Sequence, residues 1–414
     1  MYAGPATYLG LKVYEKPGTQ PPLPVHFIAE GLRYSNEAAP QPEKSFWRSE
    51  LESGALWNII QYTMDRQNNH ILNTFLDEDS LSSTDNKCSP NPEIHNGIFD
   101  FAKLPTQMKE FVRSMHCRDY EAVIDPLGVC PDHPQTNNLR AVLLLAIKTQ
   151  TANFENREAI RKTWGQSGRV KSQGGHQNLV LRVFLLGKSQ DLFDELKLQV
   201  ESDKYGDIIQ WNFMDTFFNL TLKDVLFWKW FSKQCPYAHF ILKGDDDVFV
   251  RTPAVLDYLL AVEANQTSSD LMGRFVMGDV INNAKPIRLN NTKYFIPENF
   301  FKGFYPSYPG GGGVVYSGSL ALKLLEVSQR VTLFPIDDVY LGMCLQRLGV
   351  YPIHHPAFLT FDFPEDEQRE PCANHSIFLV HKRSPEEMFH LWDETVNPRA
   401  ECRNTTLRDK ARVP

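Results

Sequence analysis

No stretch of this 414-residue sequence approaches the run of roughly 18 apolar residues that a membrane-spanning helix needs. The opening MYAGPATYLGLKVYEKPGTQ also lacks a basic region followed by an apolar one, so no signal peptide or anchor is visible there. Positive charge is not in excess either. Lys and Arg number 43 against 50 Asp and Glu, a net charge of -7, which argues against a nucleic-acid partner because phosphate backbones are met by clustered Lys and Arg. Any anionic ligand has to be met locally. Cysteine is sparse, at Cys88, Cys117, Cys130, Cys235, Cys344, Cys372 and Cys402, and no CxxC pair suggests zinc or dithiol chemistry. Two readings stay open for these residues: disulfides with one cysteine left over, or buried thiols.

What is present is the composition of a globular protein with a real core, 42% apolar and 22% charged. N-x-S/T triplets begin at Asn219, Asn265, Asn290, Asn374 and Asn404, more than chance supplies. They agree with a secretory-pathway lumen, where scattered disulfides are also expected.

Residues 1–87 hold proline clusters at 17–24 and 40–42, then FWRSELESGALWNIIQYTMDRQNNHILNTFL with the spacing of one amphipathic helix, then the polar DEDSLSSTDNKCSPNP. They read as a stem or spacer, partly disordered, with a helical segment. Residues 88–137 read as an extension packed on the following domain, with a helix within Leu104 to Tyr120 and a loop from Pro131 to Asn138, and 403–414 as a tail.

Between 138 and 402 the texture changes. AVLLLAIK, LVLRVFLLG, DIIQWNF and HFILK read as strands, separated by the helical spacings of NFENREAIRKTW, LFDELKLQVES and LTLKDVLFWKWFSKQC. That β-α-β-α rhythm predicts an α/β fold with a mostly parallel sheet and helices on both faces. Ligands of such sheets bind at the carboxyl ends of strands, and Asp245, Asp246 and Asp247 follow the fourth strand directly. Clamped between apolar segments, these carboxylates need a positive partner. Two of them on a turn can face Mg2+ or Mn2+, which take oxygen ligands; the rival reading is an acidic turn capping a hairpin.

Three further features accompany this one. In YPSYPGGGGVVYSG the glycines Gly310 to Gly313, Gly311 and Gly312 at their centre, mark a backbone that passes close to a ligand or takes positive φ, unless they form a plain flexible loop. In TLFPIDDVYLGMCLQRLG, Pro335 precedes a helix whose first turn holds Asp337 and Asp338, residues that also suit the helix dipole. In REAIRKTWG, Arg157 and Arg161 lie one turn apart on one helix face, with Lys148 at a strand end nearby. These three cations are candidates to grip a phosphate, and a solvated basic face is the alternative for the arginines.

REAIRKTWG, DTFFNLTLK, KGDDDVFV, PGGGGVVYSG and FPIDDVYLGMCLQRLG, in this order and spacing, resemble the Golgi β-1,3-glycosyltransferases, glycosyltransferase family 31, and among them the β-1,3-N-acetylglucosaminyltransferases of the N-acetyllactosaminide type. The resemblance covers roughly residues 138–402. It implies a GT-A glycosyltransferase fold, a Rossmann-like nucleotide-binding half fused to an acceptor-binding half, that uses a UDP-sugar and a divalent metal (Mn2+ or Mg2+). By the same resemblance, Asp247 and His381 hold the metal. Lys148, Arg157, Arg161, Asp245, Asp246, Gly311 and Gly312 serve the donor, and Asp338 is the base beside a structural Asp337. His381 follows an apolar strand, so a hydrogen-bonded core histidine is its rival reading.

The implied reaction carries N-acetylglucosamine from UDP-GlcNAc, with inversion, in β-1,3 linkage to a galactose-terminated glycan; a β-1,3-galactosyltransferase of the same family is the alternative. An aspartyl phosphotransferase and a non-catalytic glycan-binding protein stand further off. No nucleic acid is expected as a partner. Family members carry an N-terminal membrane anchor that this sequence does not display, and a Golgi lumenal location is expected, on the membrane if an anchor precedes this sequence.

Overall fold

The computed structural model describes residues 54–68, 88–98, 101–130, 141–172, 174–265 and 272–409. Most of the stem over 1–87, the loop from Pro131 to Asn138 and the last residues of the tail lie outside the described residues.

The helices are α1 (Leu56–Asn68), α2 (Thr106–Ser114), α3 (Phe154–Lys162), α4 (Leu192–Tyr205), α5 (Leu220–Gln234), α6 (Thr252–Asn265), α7 (Gly318–Ser328), α8 (Asp337–Leu348) and α9 (Pro385–Val396). The strands are β1 (Ala122–Ile124), β2 (Ala141–Lys148), β3 (Gly168–Lys171), β4 (Gln177–Lys188), β5 (Ile208–Met214), β6 (Phe240–Asp245), β7 (Val248–Val250), β8 (Val276–Ile281), β9 (Tyr308–Ser317), β10 (Ile353–His354), β11 (Phe358–Leu359) and β12 (Leu379–His381).

The large sheet runs β1-β5-β4-β2-β6-β9-β8-β10, with β3 paired to β4. Its centre is parallel, β2 lying between β4 and β6 and β4 beside β5. Because both faces of this centre are covered, β2 is apolar at every turn of the pleat. Leu144 and Ala146 enter one core with Trp228 of α5, Leu324 of α7 and Leu341 of α8. Leu143, Leu145 and Ile147 enter the other with Ile160 of α3, Leu256 of α6 and Met388 of α9. The predicted α/β rhythm is thus the one observed. Beyond β6 the sheet changes character, since β9 is antiparallel to both β6 and β8.

A smaller sheet, β11-β12-β7, has β12 antiparallel to β7 and sets His381 opposite Val248. That register brings the end of β12 to the tip of β6. The cysteines resolve as disulfides, Cys88–Cys117, Cys130–Cys235 and Cys372–Cys402, with Cys344 free and buried. Helix α1 packs on the domain. Trp57 Nε1 donates to the Thr332 and Leu333 carbonyls at 3.1 and 3.2 Å, and Asp65 receives Arg347 of α8 at 3.1 and 2.8 Å. Among the described residues, no helix is long and apolar enough to cross a membrane.

Candidate active site

The three aspartates at the tip of β6 meet three different environments. Asp245 ends the strand with one oxygen 3.1 Å from Lys148 Nζ, the last residue of neighbouring β2. Asp246 turns inward and is only 8% exposed, accepting from the Thr149 hydroxyl and, at 2.8 Å, from Asn153 Nδ2. Burial, added to the negative charge on either side, pushes Asp246 up to about 6 in spite of those donors. Asp247 points to the cleft, its Oδ1 3.2 Å from His381 Nε2. Burial alone would raise Asp247, but the His381 donor outweighs it and holds the carboxyl below its usual range.

The Asp246 side chain, expected to serve the donor, is thus turned away from the cleft. It pins the turn from inside, so that its two neighbours face outward. Its partners Thr149 and Asn153 went unnoticed in the sequence. Thr149 did carry a signal, as the polar residue directly after a strand's carboxyl end.

Asp245, Asp247 and His381 bring one ligand atom each within 4.8 Å of one another. His381 Nδ1 lies 3.0 Å from the Thr360 carbonyl, to which it donates; in the protonated imidazole Nε2 donates to Asp247, and loss of that proton would leave Nε2 as the metal-facing nitrogen. Half-buried and facing a carboxylate, His381 is not a core histidine. Two carboxylates and an imidazole with its outer nitrogen anchored are a donor set that fits a divalent cation.

The glycine run is not a loop. Gly310 to Gly313 form the first half of β9, and none of the four has positive φ. What passes close to them is protein: a Cβ at Gly311 would stand 2.5 Å from Asp338 Oδ2, and one at Gly312 would stand 3.1 Å from the His381 Cβ. These two glycines clear space for Asp338 and for His381 at successive positions of β9.

Asp337 and Asp338 open α8, as predicted, yet Asp337 does not act as the side-chain cap; the N-cap position is Ile336. Asp337 is buried and takes the ammonium of Lys148. Lys148 thus bridges Asp245 and Asp337, and although burial pulls its pKa down, those carboxylates and Asp224 raise it well above the usual value and keep it charged. For Asp337, burial is likewise overcome by Lys148 and Lys243, and the carboxyl stays ionised. Asp338 is half-buried, and among the described residues its carboxylate makes no hydrogen bond or ion pair. Withdrawal from water, then the charge of Asp337, raise its pKa well above the ordinary value. A carboxylate of raised pKa beside an ionised twin is the pattern of a proton acceptor.

Arg157 and Arg161 do not reach this cleft. Arg157 is 0% exposed and bonded to Glu201 at 2.9 and 2.7 Å and to the Thr151 carbonyl at 3.0 Å. Arg161 holds Asp207 at 2.9 and 2.8 Å and stacks over Tyr205, 4.0 Å from its centroid. The shared helix face read from their spacing is real. It turns inward because α4 and the start of β5 present carboxylates to it. Arg157 touches the site only through Thr149, whose hydroxyl it contacts at 3.2 Å.

Residues 155–356 match the Galactosyltransferase family. The N-acetyllactosaminide beta-1,3-N-acetylglucosaminyltransferase 2 of Mus musculus is 43% identical over 373 residues, 87% of this chain and 89% of that protein. The corresponding enzyme 4 of Mus musculus is 40% identical over 77% of this chain and 85% of its own length. The UDP-GlcNAc:betaGal beta-1,3-N-acetylglucosaminyltransferase 7 of Rattus norvegicus is 39% identical over 74% of this chain and 75% of its own. With the strand order, the acidic tip of β6 and these relatives together, the chain belongs to the galactosyltransferase family and is a glycosyltransferase of GT-A fold.

Proposed function

We propose that this protein transfers N-acetylglucosamine from UDP-GlcNAc, in β-1,3 linkage and with inversion, to a galactose-terminated glycan. The observation that carries the reading is that Lys148 ties Asp245 of the Asp245–Asp247–His381 cluster to Asp337, next to Asp338, whose carboxylate has no bonded partner among the described residues. Leaving-group and nucleophile chemistry are thereby joined through one buried lysine, which ties the tip of β6 to the first turn of α8.

In this reading Asp245, Asp247 and His381 hold a divalent cation, Mn2+ or Mg2+, which when bound supplies Lewis-acid stabilisation of the departing diphosphate. Asp338 accepts the proton of the acceptor hydroxyl as that oxygen attacks the anomeric carbon from the face opposite UDP. One in-line displacement converts an α-linked donor into a β-linked product. Asp337, fixed by Lys148, holds the start of α8 and with it the direction of Asp338. Alignment supplies much of the rate, and the base adds on the order of a hundredfold to ten-thousandfold. The compartment we infer is the Golgi lumen, supported by the disulfides and by the N-x-S/T triplets.

The test is UDP release and product linkage with a panel of UDP-sugars and galactose-terminated acceptors, with and without EDTA. Transfer from UDP-GlcNAc that EDTA abolishes and Mn2+ or Mg2+ restores is the expected result. Full activity in chelator would remove the metal from the scheme, and preference for UDP-galactose would make the enzyme a galactosyltransferase.

A further inference from the structure

The basic residues described around the site are nearly all consumed by the fold. Lys148 is held by Asp245 and Asp337, Lys243 by Asp224, and Lys223 by Asp215 and the Thr149 carbonyl. Arg157 and Arg161 are spent on Glu201 and Asp207. A diphosphate carries more negative charge than a divalent cation balanced by two carboxylates can offset, so a further cation has to face it.

Lys293 meets the geometric requirement. It is exposed, and among the described residues no carboxylate lies within ion-pair distance of its ammonium. The ammonium is nonetheless held in place. Phe217, just past the carboxyl end of β5, and Tyr294 meet edge to face with centroids 5.3 Å apart. Lys293 Nζ lies 4.9 Å from the Phe217 centroid and 5.0 Å from that of Tyr294. Two ring faces thus fix a cation at the mouth of the cleft without neutralising it. Strands β5, β4, β2 and β6 run parallel, so Phe217 past the end of β5 and the acidic cluster past the end of β6 stand at the same edge of the sheet.

We propose that Lys293, cradled by Phe217 and Tyr294, binds the diphosphate of the nucleoside-diphosphate donor and of the departing product. The inference rests on the donor reading above. It makes the DTFF segment and the aromatic loop one subsite: the rings hold the lysine, and the lysine meets the phosphate oxygens.

Calorimetric titration of UDP in the presence of Mn2+ tests this with the full chain, comparing Lys293→Met, Lys293→Arg and, as a control on the same loop, Lys302→Met. Methionine keeps an apolar stem on the rings and removes only the charge. Loss of a charge-assisted contact corresponds to roughly 10- to 100-fold weaker UDP binding in Lys293→Met. Lys293→Arg is expected to stay within about threefold of wild type, since it keeps both the charge and the ring contact, and Lys302→Met to match wild type. Uridine, which has no phosphate, should bind wild type and Lys293→Met alike. Unchanged UDP affinity in Lys293→Met, or an effect confined to the acceptor KM, overturns the assignment and leaves the donor reading standing. Failure of the wild-type protein to bind UDP removes the donor reading and this inference with it.

Discussion

Replacing Gly311 by alanine isolates the relation between β9 and Asp338. The added Cβ would stand 2.5 Å from Asp338 Oδ2, 3.2 Å from its Cγ and 3.3 Å from Oδ1, inside the separation that real side chains keep. Gly311 itself has no ladder partner, but the pairs that flank it, Val280 with Pro309 and Gly244 with Gly313, limit how far this stretch of β9 can retreat. The carboxylate has to give way, by about 0.5–0.9 Å if it is to reach an ordinary contact. It is the free end of a half-buried side chain, so the folding cost is small. The chemical cost is not, since a 1 Å misplacement of a reacting group costs roughly a hundredfold. In a steady-state UDP-release assay, Gly311→Ala should lower kcat about 10- to 100-fold while UDP affinity and melting temperature hardly move. Gly313→Ala is the counterpart: its Cβ would meet Leu379 Cδ1 at 2.4 Å in a fully buried core. There, overpacking should cost about 1–3 kcal/mol in denaturant unfolding. Wild-type kcat in Gly311→Ala would refute the confinement of a catalytic Asp338 by this strand. A matching loss of UDP affinity would hand the glycine back to donor binding.

Asp338→Asn, nearly isosteric but without basicity, should lower kcat roughly 10²- to 10⁴-fold at unchanged UDP affinity. Because the base works deprotonated and its pKa is raised, wild-type kcat should fall on acidification at a pH above the ordinary aspartate range, and Asp338→Asn should lose that limb. Asp337→Asn instead leaves Lys148 with a weakened partner in a buried place, a loss of about 3–5 kcal/mol in urea unfolding; loss of kcat at intact stability would reverse the assignment within the pair. Arg161→Met should cost a similar 3–5 kcal/mol or so and leave UDP affinity untouched, and weakened UDP binding in the stable variant would restore Arg161 to the cleft. Burial opposes the ionisation of Asp207, but Arg161 and Arg182 override it and depress its pKa. The stability it contributes is present above the unfolded aspartate pKa and is lost as pH falls through the lower folded value, so Arg161→Met should flatten this acid sensitivity.

The parallel half of the sheet is legible because a strand covered on both faces has to be apolar throughout, and AVLLLAIK appears in the structure with the same bounds as β2. Strand β9 is not. Four of its first six residues are glycine, which strand propensity disfavours, and only the side chains packed against Gly311 to Gly313 from α8 and β12 show why nothing larger fits there. The close approach that the glycine run predicts is present, but the identity of what approaches depends on segments distant in sequence.

The same division separates charge from partner across the whole site. Three adjacent aspartates in apolar surroundings announce that positive groups or donors must meet them, and the structure supplies Lys148, then Thr149 with Asn153, then His381, from two segments distant in sequence, the end of β2 with its following turn and the end of β12. Spacing on a turn does not decide which of the three faces inward, since that depends on whose loop closes over it. Arg157 and Arg161 pose the same problem with the sign reversed. Their helix face is readable, yet Glu201 and Asp207, which turn it into a buried lattice, lie at the far end of α4 and the start of β5. A free cation at this site is therefore recognisable only after every buried one has been assigned its carboxylate. Lys293, held by aromatic rings instead of an anion, emerges as a ligand-facing charge by that accounting and not from its position in the sequence.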